Sequence, residues 1–227
     1  MAQEKNDLTL QTERLVLRVL DQQAAGKVAD YYRRNRLFHD PWFPARDEQS
    51  FTAQQQALNL AEEHKAYLAG RAIPFWLFLT DDPDRIIGRL AITQIVYGSL
   101  RSAFLAWHLD QSCQGRGLAF EAGQACVKRL FADLRLHRLE AVIRPGNRRS
   151  IALARRLGFD LEGLCPRYLK INGVWSDHLR FVRLSDGPLW PKTANQEDVP
   201  HRLLAELTHY MTGQAQADQA ESSGHRN

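Results

Sequence analysis

The 227-residue chain has no apolar run near the ~18 residues that cross a bilayer, which excludes a membrane span. Its first residues, MAQEKNDLTL, lack the basic-then-apolar order of a signal peptide. Cysteine is scarce: Cys113, Cys126 and Cys165 are odd in number and have no metal-ligand spacing, which argues against a disulfide framework and a zinc site. A reducing cytoplasm is the compartment that fits. Neither hydrophobic content (44%) nor charged content (25%) departs from globular averages, so global disorder and collagen-like structure are excluded. No repeat period appears. At about 150 residues per domain, the length implies one sizeable domain and an appendage.

The net charge of +4 and a pI near 9.1 raise the question of a nucleic-acid partner. The charge is uneven. Residues 101–183 hold fifteen Lys or Arg against seven Asp or Glu, a net of +8, and the remainder is −4. Twenty-four of the thirty basic residues are arginine, the better fork for phosphate and carboxylate. The central segment therefore reads either as a solvated basic face or as the receiver of an anionic ligand, polynucleotide or small phosphorylated cofactor.

Periodicity divides the chain. Leu8 to Leu20 alternates through Leu15, Leu17 and Val19 as a first strand, and Asp21 caps a helix to about Arg36. Leu37 to Arg46, with Pro41 and Pro44, reads as a loop, and a second helix follows from Ser50 to Leu68. Strands at 74–80, 85–97 and 101–110 precede a helix from Leu118 to Leu134, a strand at His137–Arg144 and a short helix near Ser150–Leu157. A terminal hairpin turns at Asn172-Gly173. The order ββ-αα-βββ-α-β-α-ββ predicts a mixed α/β fold of the α+β kind, with helices on both faces of one mostly antiparallel sheet spanning 8–184. Residues 185–227 read as a tail, with a short helix at about 200–212 before a disordered end.

The chemistry concentrates after Asp110. Gln114-Gly115-Arg116-Gly117-Leu118-Ala119 joins a strand to a helix that begins without a strong side-chain cap. Such a turn aims unpaired helical N–H groups, and the positive end of the helix dipole, at an anion. Gly115 and Gly117 remove the Cβ atoms that would keep a phosphate away. Phe120 stands where a dinucleotide fingerprint needs its third glycine, and no GxxxxGK[ST] occurs.

The turn fits the Q/R-x-x-G-x-G/A pattern, and here the chain resembles the Gcn5-related N-acetyltransferase (GNAT) superfamily. Thr12 to Arg18 resembles that family's opening strand. Asn147-Arg148-Arg149-Ser150, Ala154 to Phe159 and Glu162-Gly163 resemble its second cofactor segment, and Asn172 to His178 its final hairpin. Ala29 to Tyr32, Asn35-Arg36, Pro41-Trp42, Pro44 and Arg46-Asp47-Glu48 resemble the branch that acetylates ribosomal proteins at an N-terminal alanine.

The resemblance implies acetyl-CoA as co-substrate, no metal, and direct transfer to a protein α-amine in a ternary complex. It implies that Trp107, His108 and Leu109 hold the thioester and pantetheine by backbone groups, that Gln114 to Ala119 cradle the pyrophosphate, and that Asn147 bonds the pantetheine amide region. No tyrosine lies between Asn147 and Gly158, so Ser150 stands in as the acid for the leaving thiolate. The carboxylate candidates for a base are Glu121 and Glu162; Glu140 reads as a strand-end surface charge. His108 reads chiefly as a packed strand residue, and the cysteines as packing. The Trp42–Phe43 segment either walls the acceptor pocket or covers the sheet edge. An α-amine, with a pKa of about 8 against about 10.4 for lysine, asks little of a base near pH 7. The expected partners are acetyl-CoA and the N-terminus of a ribosomal protein, with a ribosome contact through the basic surface. The competing readings are acetylation of another amine, such as a polyamine or antibiotic, and a non-catalytic RNA-binding module.

Overall fold

The computed structural model describes residues 8–189. Strands β1 (Thr9–Gln11) and β2 (Leu15–Val19) lead into α1 (Ala25–Arg34), α2 (Arg36–His39) and α3 (Ala53–Leu68). Strands β3 (Ile73–Leu79), β4 (Ile86–Val96) and β5 (Ser102–Leu109) follow, then α4 (Leu118–Asp133), β6 (Arg138–Ile143) and α5 (Arg148–Arg156). The hairpin β7 (Asp160–Ile171) and β8 (Val174–Leu184) closes the fold. The eight strands form one sheet in the order β1-β2-β3-β4-β5-β6-β8-β7, and only β5 and β6 pair in parallel.

Two expectations are corrected. The opening segment is a hairpin rather than one strand: Thr12 leaves the ladder, and its Oγ1 accepts the Leu15 N–H at 3.1 Å. The 37–46 segment is not all loop, because α2 precedes the prolines and a 3-10 turn spans Asp40–Trp42. Pro41 is tolerated there because the first turn of a helix needs no donor from it. The expected helix near residues 200–212 lies outside the described residues.

Each face of the sheet carries its own core. Leu15, Leu17, Phe75 and Leu77 pack with Leu118, Ala122, Cys126, Val127, Ile151 and Ala154 beneath α4 and α5. Trp76, Phe78 and Ile86 pack with Tyr31, Tyr32, Phe51 and Leu60 beneath α1 and α3. Strand β3, IPFWLFL, is buried on both faces, as a covered central strand must be. Asn172 and Gly173 both take positive φ, 49° and 83°, which suits a two-residue hairpin turn matched to strand twist.

Asp110, at the end of β5, ties that strand to α1. Its carboxylate accepts bonds from Arg34 Nε at 2.7 Å, Asn35 Nδ2 at 3.3 Å and Ser112 Oγ at 2.7 Å. Burial opposes its ionisation, but these bonds outweigh burial and hold it far below the ordinary carboxylate range. A depressed native pKa gives stability that is complete above the unfolded value of about 3.9 and drains away below it. Urea midpoints should therefore fall as pH drops from about 4. Asp110→Asn should flatten that acid limb and cost about 2–3 kcal/mol at pH 7 by removing the buried carboxylate charge that Arg34 and Arg85 share, although Arg34 keeps its pair with Asp30. An unchanged acid limb in the variant would exclude Asp110 as its cause.

Candidate active site

The site is built where the parallel pair comes apart. Strands β5 and β6 pair only at Ser102–Phe104 with Arg138–Glu140, and their C-terminal halves diverge. Asp110 N–H donates to Ile87 O at 2.7 Å, which fixes the ladder alternation. Even-numbered residues of β5 direct their backbone groups to β4, and Trp107 and Leu109 direct theirs into the fork. This corrects the assignment of His108 to the cofactor: its backbone is committed to β4, opposite Arg89. The fork side of Leu109 is also partly used, since its carbonyl accepts from His39 Nε2 at 3.0 Å and Gln114 Nε2 at 3.4 Å.

Helices α4 and α5 both begin at the open end of the fork. Gly115 and Gly117 have φ of 75° and 78°, and Gly117 caps α4 without a side-chain bond. Among the described residues, no backbone N–H from Gly115 through Phe120 has an acceptor; the first helical bond runs from Glu121 N–H to Gly117 O at 3.1 Å. A Cβ built on Gly115 would meet nothing within 4 Å. The result is an open cradle of convergent donors, the chemistry that a pyrophosphate requires. Arg116, Arg148 and Arg149 are exposed beside it and form no ion pair among the described residues. Asn147 caps α5, its Oδ1 accepting the Ser150 N–H at 3.2 Å. The half-buried Ser150 keeps a hydroxyl with no partner among the described residues.

The carboxylates are occupied. Glu121 accepts from Thr12 Oγ1 at 2.6 Å and Arg14 Nε at 2.7 Å, and Arg14 Nη1 also holds the Arg116 carbonyl at 3.1 Å. Burial raises the Glu121 pKa, but these bonds win and lower it, so Glu121 braces the turn against the β1–β2 hairpin. Glu162 accepts from Arg138 Nη2 at 2.7 Å. Glu140, expected at the surface, is buried and contacts both Arg138 and Arg180, because its strand lies inside the sheet.

Sequence reasoning missed a cluster on the α1/α3 face of the fork. Tyr31 Oη and His108 Nδ1 lie 2.7 Å apart. The His108 ring sits 5.1 Å from that of His39 and 5.2 Å from that of Phe43. Burial lowers the pKa of both imidazoles; His39, Arg89 and Arg46 lower His108 further. Phe43 packs its ring against His39 and His108, and Trp42 is partly exposed at 37%. Arg144 Nη1 to Pro41 O at 2.7 Å and Asn172 Nδ2 to Asp40 O at 3.2 Å pin the segment across the fork's mouth. Among the described residues, no group of three or more His, Cys, Asp or Glu is placed to hold a metal ion.

Comparison with known proteins agrees with this geometry. A family described as Acetyltransferase (GNAT) domain matches residues 14–160. The [ribosomal protein uS5]-alanine N-acetyltransferase of Escherichia coli is 38% identical over 170 residues, 75% of this chain and 87% of that protein. The probable N-acetyltransferase YjcK of Bacillus subtilis is 31% identical over 169 residues, 74% of this chain and 93% of its own. Among solved structures, the ribosomal-protein-S5-alanine acetyltransferase of Vibrio fischeri superposes with a TM-score of 0.75 at 27% identity, over 82% of this chain and all of that one. Mycobacterium smegmatis RimJ in complex with CoA-disulfide gives 0.72 at 29% identity, over 85% and 88%.

Proposed function

The chain belongs to the GNAT acetyltransferase family, and from that premise we propose that it transfers acetyl from acetyl-CoA to the N-terminal α-amine of a ribosomal protein beginning with alanine. The observation that carries the proposal is the fork between β5 and β6, flanked by two helix N-termini and an unengaged serine hydroxyl. The bound co-substrate supplies an activated acetyl thioester. Around it, the N–H groups from Gly115 to Phe120 take the pyrophosphate, and Arg116, Arg148 and Arg149 add charge. Trp107 pairs with the pantetheine arm as an added strand would. A fork-facing N–H of Trp107 or Leu109 donates to the thioester carbonyl as charge develops there.

As the C–S bond breaks, Ser150 passes a proton to the departing sulfur, directly or through water, and recovers one from the amine that becomes the amide. Neither carboxylate candidate is free to act as base: Glu121 is held by Thr12 and Arg14, and Glu162 by Arg138, so both assignments lose their support. About a tenth of α-amines are already neutral at pH 7, which suits a site without a strong base. The three cysteines are free, consistent with a reducing cytoplasm. The arginines exposed on α5 would serve a ribosome contact as a second use.

Intact-mass analysis of peptides differing only in their first residue, incubated with acetyl-CoA, tests the function. Alanine-initiated peptides should gain one acetyl group fastest, and absence of that preference defeats the alanine claim. Ser150→Ala should lower kcat by about 10- to 100-fold, near the lower end for an acid catalyst because water can substitute. Full activity of that variant from pH 6 to 9 would remove Ser150 from the mechanism.

A further inference from the structure

The Arg46-Asp47-Glu48 triplet is only partly explained by the fold. Asp47 caps the 3-10 turn at Glu48–Phe51, accepting the Ser50 N–H at 2.9 Å. Glu48 pairs with Arg36 at 2.7 Å. Arg46 alone has no such duty: among the described residues it makes no hydrogen bond and no ion pair. Its neighbours Arg34, Arg36 and Arg89 all pair with carboxylates. The Arg46 guanidinium instead lies against two rings, 4.3 Å from the Tyr32 centroid and 4.7 Å from that of Phe43. The two rings hold the guanidinium in place, and among the described residues its N–H groups stay unengaged. None of its nitrogens is among the buried unpaired atoms, so the fork is accessible.

The position of this cation gives it a meaning. Tyr32 and Phe43 are the same rings that flank His108, at 6.0 and 5.2 Å, on the face of the fork opposite α4 and α5. A half-buried, unpaired and pre-oriented guanidinium is costly for the free protein and matches the bidentate geometry of a carboxylate. Resting on the α-amine reading above, we propose that Arg46 determines acceptor specificity by binding an Asp or Glu side chain within the first four residues of the incoming peptide. The spacing sets that limit. The two legs that meet at Phe43, 5.2 Å to His108 and 4.7 Å to Arg46, place Arg46 no more than about 10 Å from the His108 ring, a span that an extended chain rising about 3.3 Å per residue covers within three residues.

The test uses the full chain and alanine-initiated peptides carrying Asp, Asn or Lys at one position from 2 to 4. The parent should favour the best-placed Asp peptide over its Asn isostere by about 10- to 100-fold in kcat/KM, mostly through KM. Arg46→Gln should bring that ratio to about one, Arg46→Lys should keep part of it, and Arg46→Glu should turn the preference toward Lys. Fluorescence anisotropy of the same labelled peptides on CoA-saturated protein reads the ratio without turnover. If no peptide is acetylated, the α-amine reading fails, and the anisotropy still decides the role of Arg46. Melting curves separate misfolded variants, and the inversion in Arg46→Glu cannot arise from lost stability. A parent ratio within threefold, a preference that survives Arg46→Gln, or faster acetylation of free alanine than of any acidic peptide overturns the proposal.

Discussion

Replacing Gly115 and Gly117 together by alanine should weaken acetyl-CoA binding by about 100-fold or more while the protein still folds. Both glycines have left-handed backbone angles, which cost an ordinary L-residue about 1–2 kcal/mol each. The fold itself has room for the new methyl groups: a Cβ at Gly115 meets nothing within 4 Å, and one at Gly117 finds only Arg14 Nη2 at 3.6 Å. The free variant would relieve the strain by relaxing the turn toward negative φ. The N–H groups from Gly115 to Phe120 would then no longer converge, and binding would have to restore them against about 2–4 kcal/mol. At 1.4 kcal/mol per factor of ten, that spans roughly 30- to 1000-fold, before counting the methyl placed in the phosphate's path. Calorimetric titration with CoA measures the loss, and Gly26→Ala on the exposed surface of α1 is the control. An affinity within threefold of the parent would show that the turn does not hold the pyrophosphate.

The cradle was legible in the sequence because its physics is local. Two glycines, an uncapped helix start and a preceding strand occupy adjacent positions, so the pattern survives without knowledge of the rest of the fold. The helix–strand order was legible for the same reason, since α4, β6 and α5 each carry their own periodicity. The fork was not. Nothing within 102–109 or 138–143 announces that the ladder stops after three pairs, because the stop depends on how two crossover helices pack beneath the sheet. His39, and the contacts that Arg46 makes, were hidden more deeply. Pro41 and Pro44 marked their segment as loop, and its role emerges only when His39 reaches the Leu109 carbonyl and Phe43 reaches His108. The +8 stretch over-promised in turn. Arg138 and Arg180 pair with Glu140 and Glu162 inside the fold, and Arg129 pairs with Asp133 on the surface of α4, so only part of that charge faces a ligand.

Gly88→Ala should destabilise the protein by about 3–5 kcal/mol and lower activity by about 100-fold, although Gly88 touches no substrate. Gly88 lies on β4 directly opposite Leu109, the last residue of β5. The two form a pair without mutual backbone bonds, the kind in which antiparallel strands come closest. A Cβ there would lie 2.5 Å from Leu109 Cδ2 and 2.7 Å from the His108 carbonyl oxygen. The leucine tip can rotate away; the carbonyl cannot, because it belongs to the β4–β5 ladder. Relief requires β5 to move outward at the point where Trp107 and Leu109 present their backbone to the fork. Overpacking alone costs about 1–3 kcal/mol, and a disturbed central ladder adds to it. For a chain of this size each kcal/mol lowers Tm by about 2–4 °C, so a drop near 10 °C is expected. A displacement of about 1 Å at the acyl group accounts for the loss of rate. Gly146→Ala, whose Cβ meets nothing within 4 Å, should leave Tm in place. A Gly88→Ala protein that melts with the parent yet loses activity would confine the effect to the fork, and one that keeps both would show that β5 yields without cost.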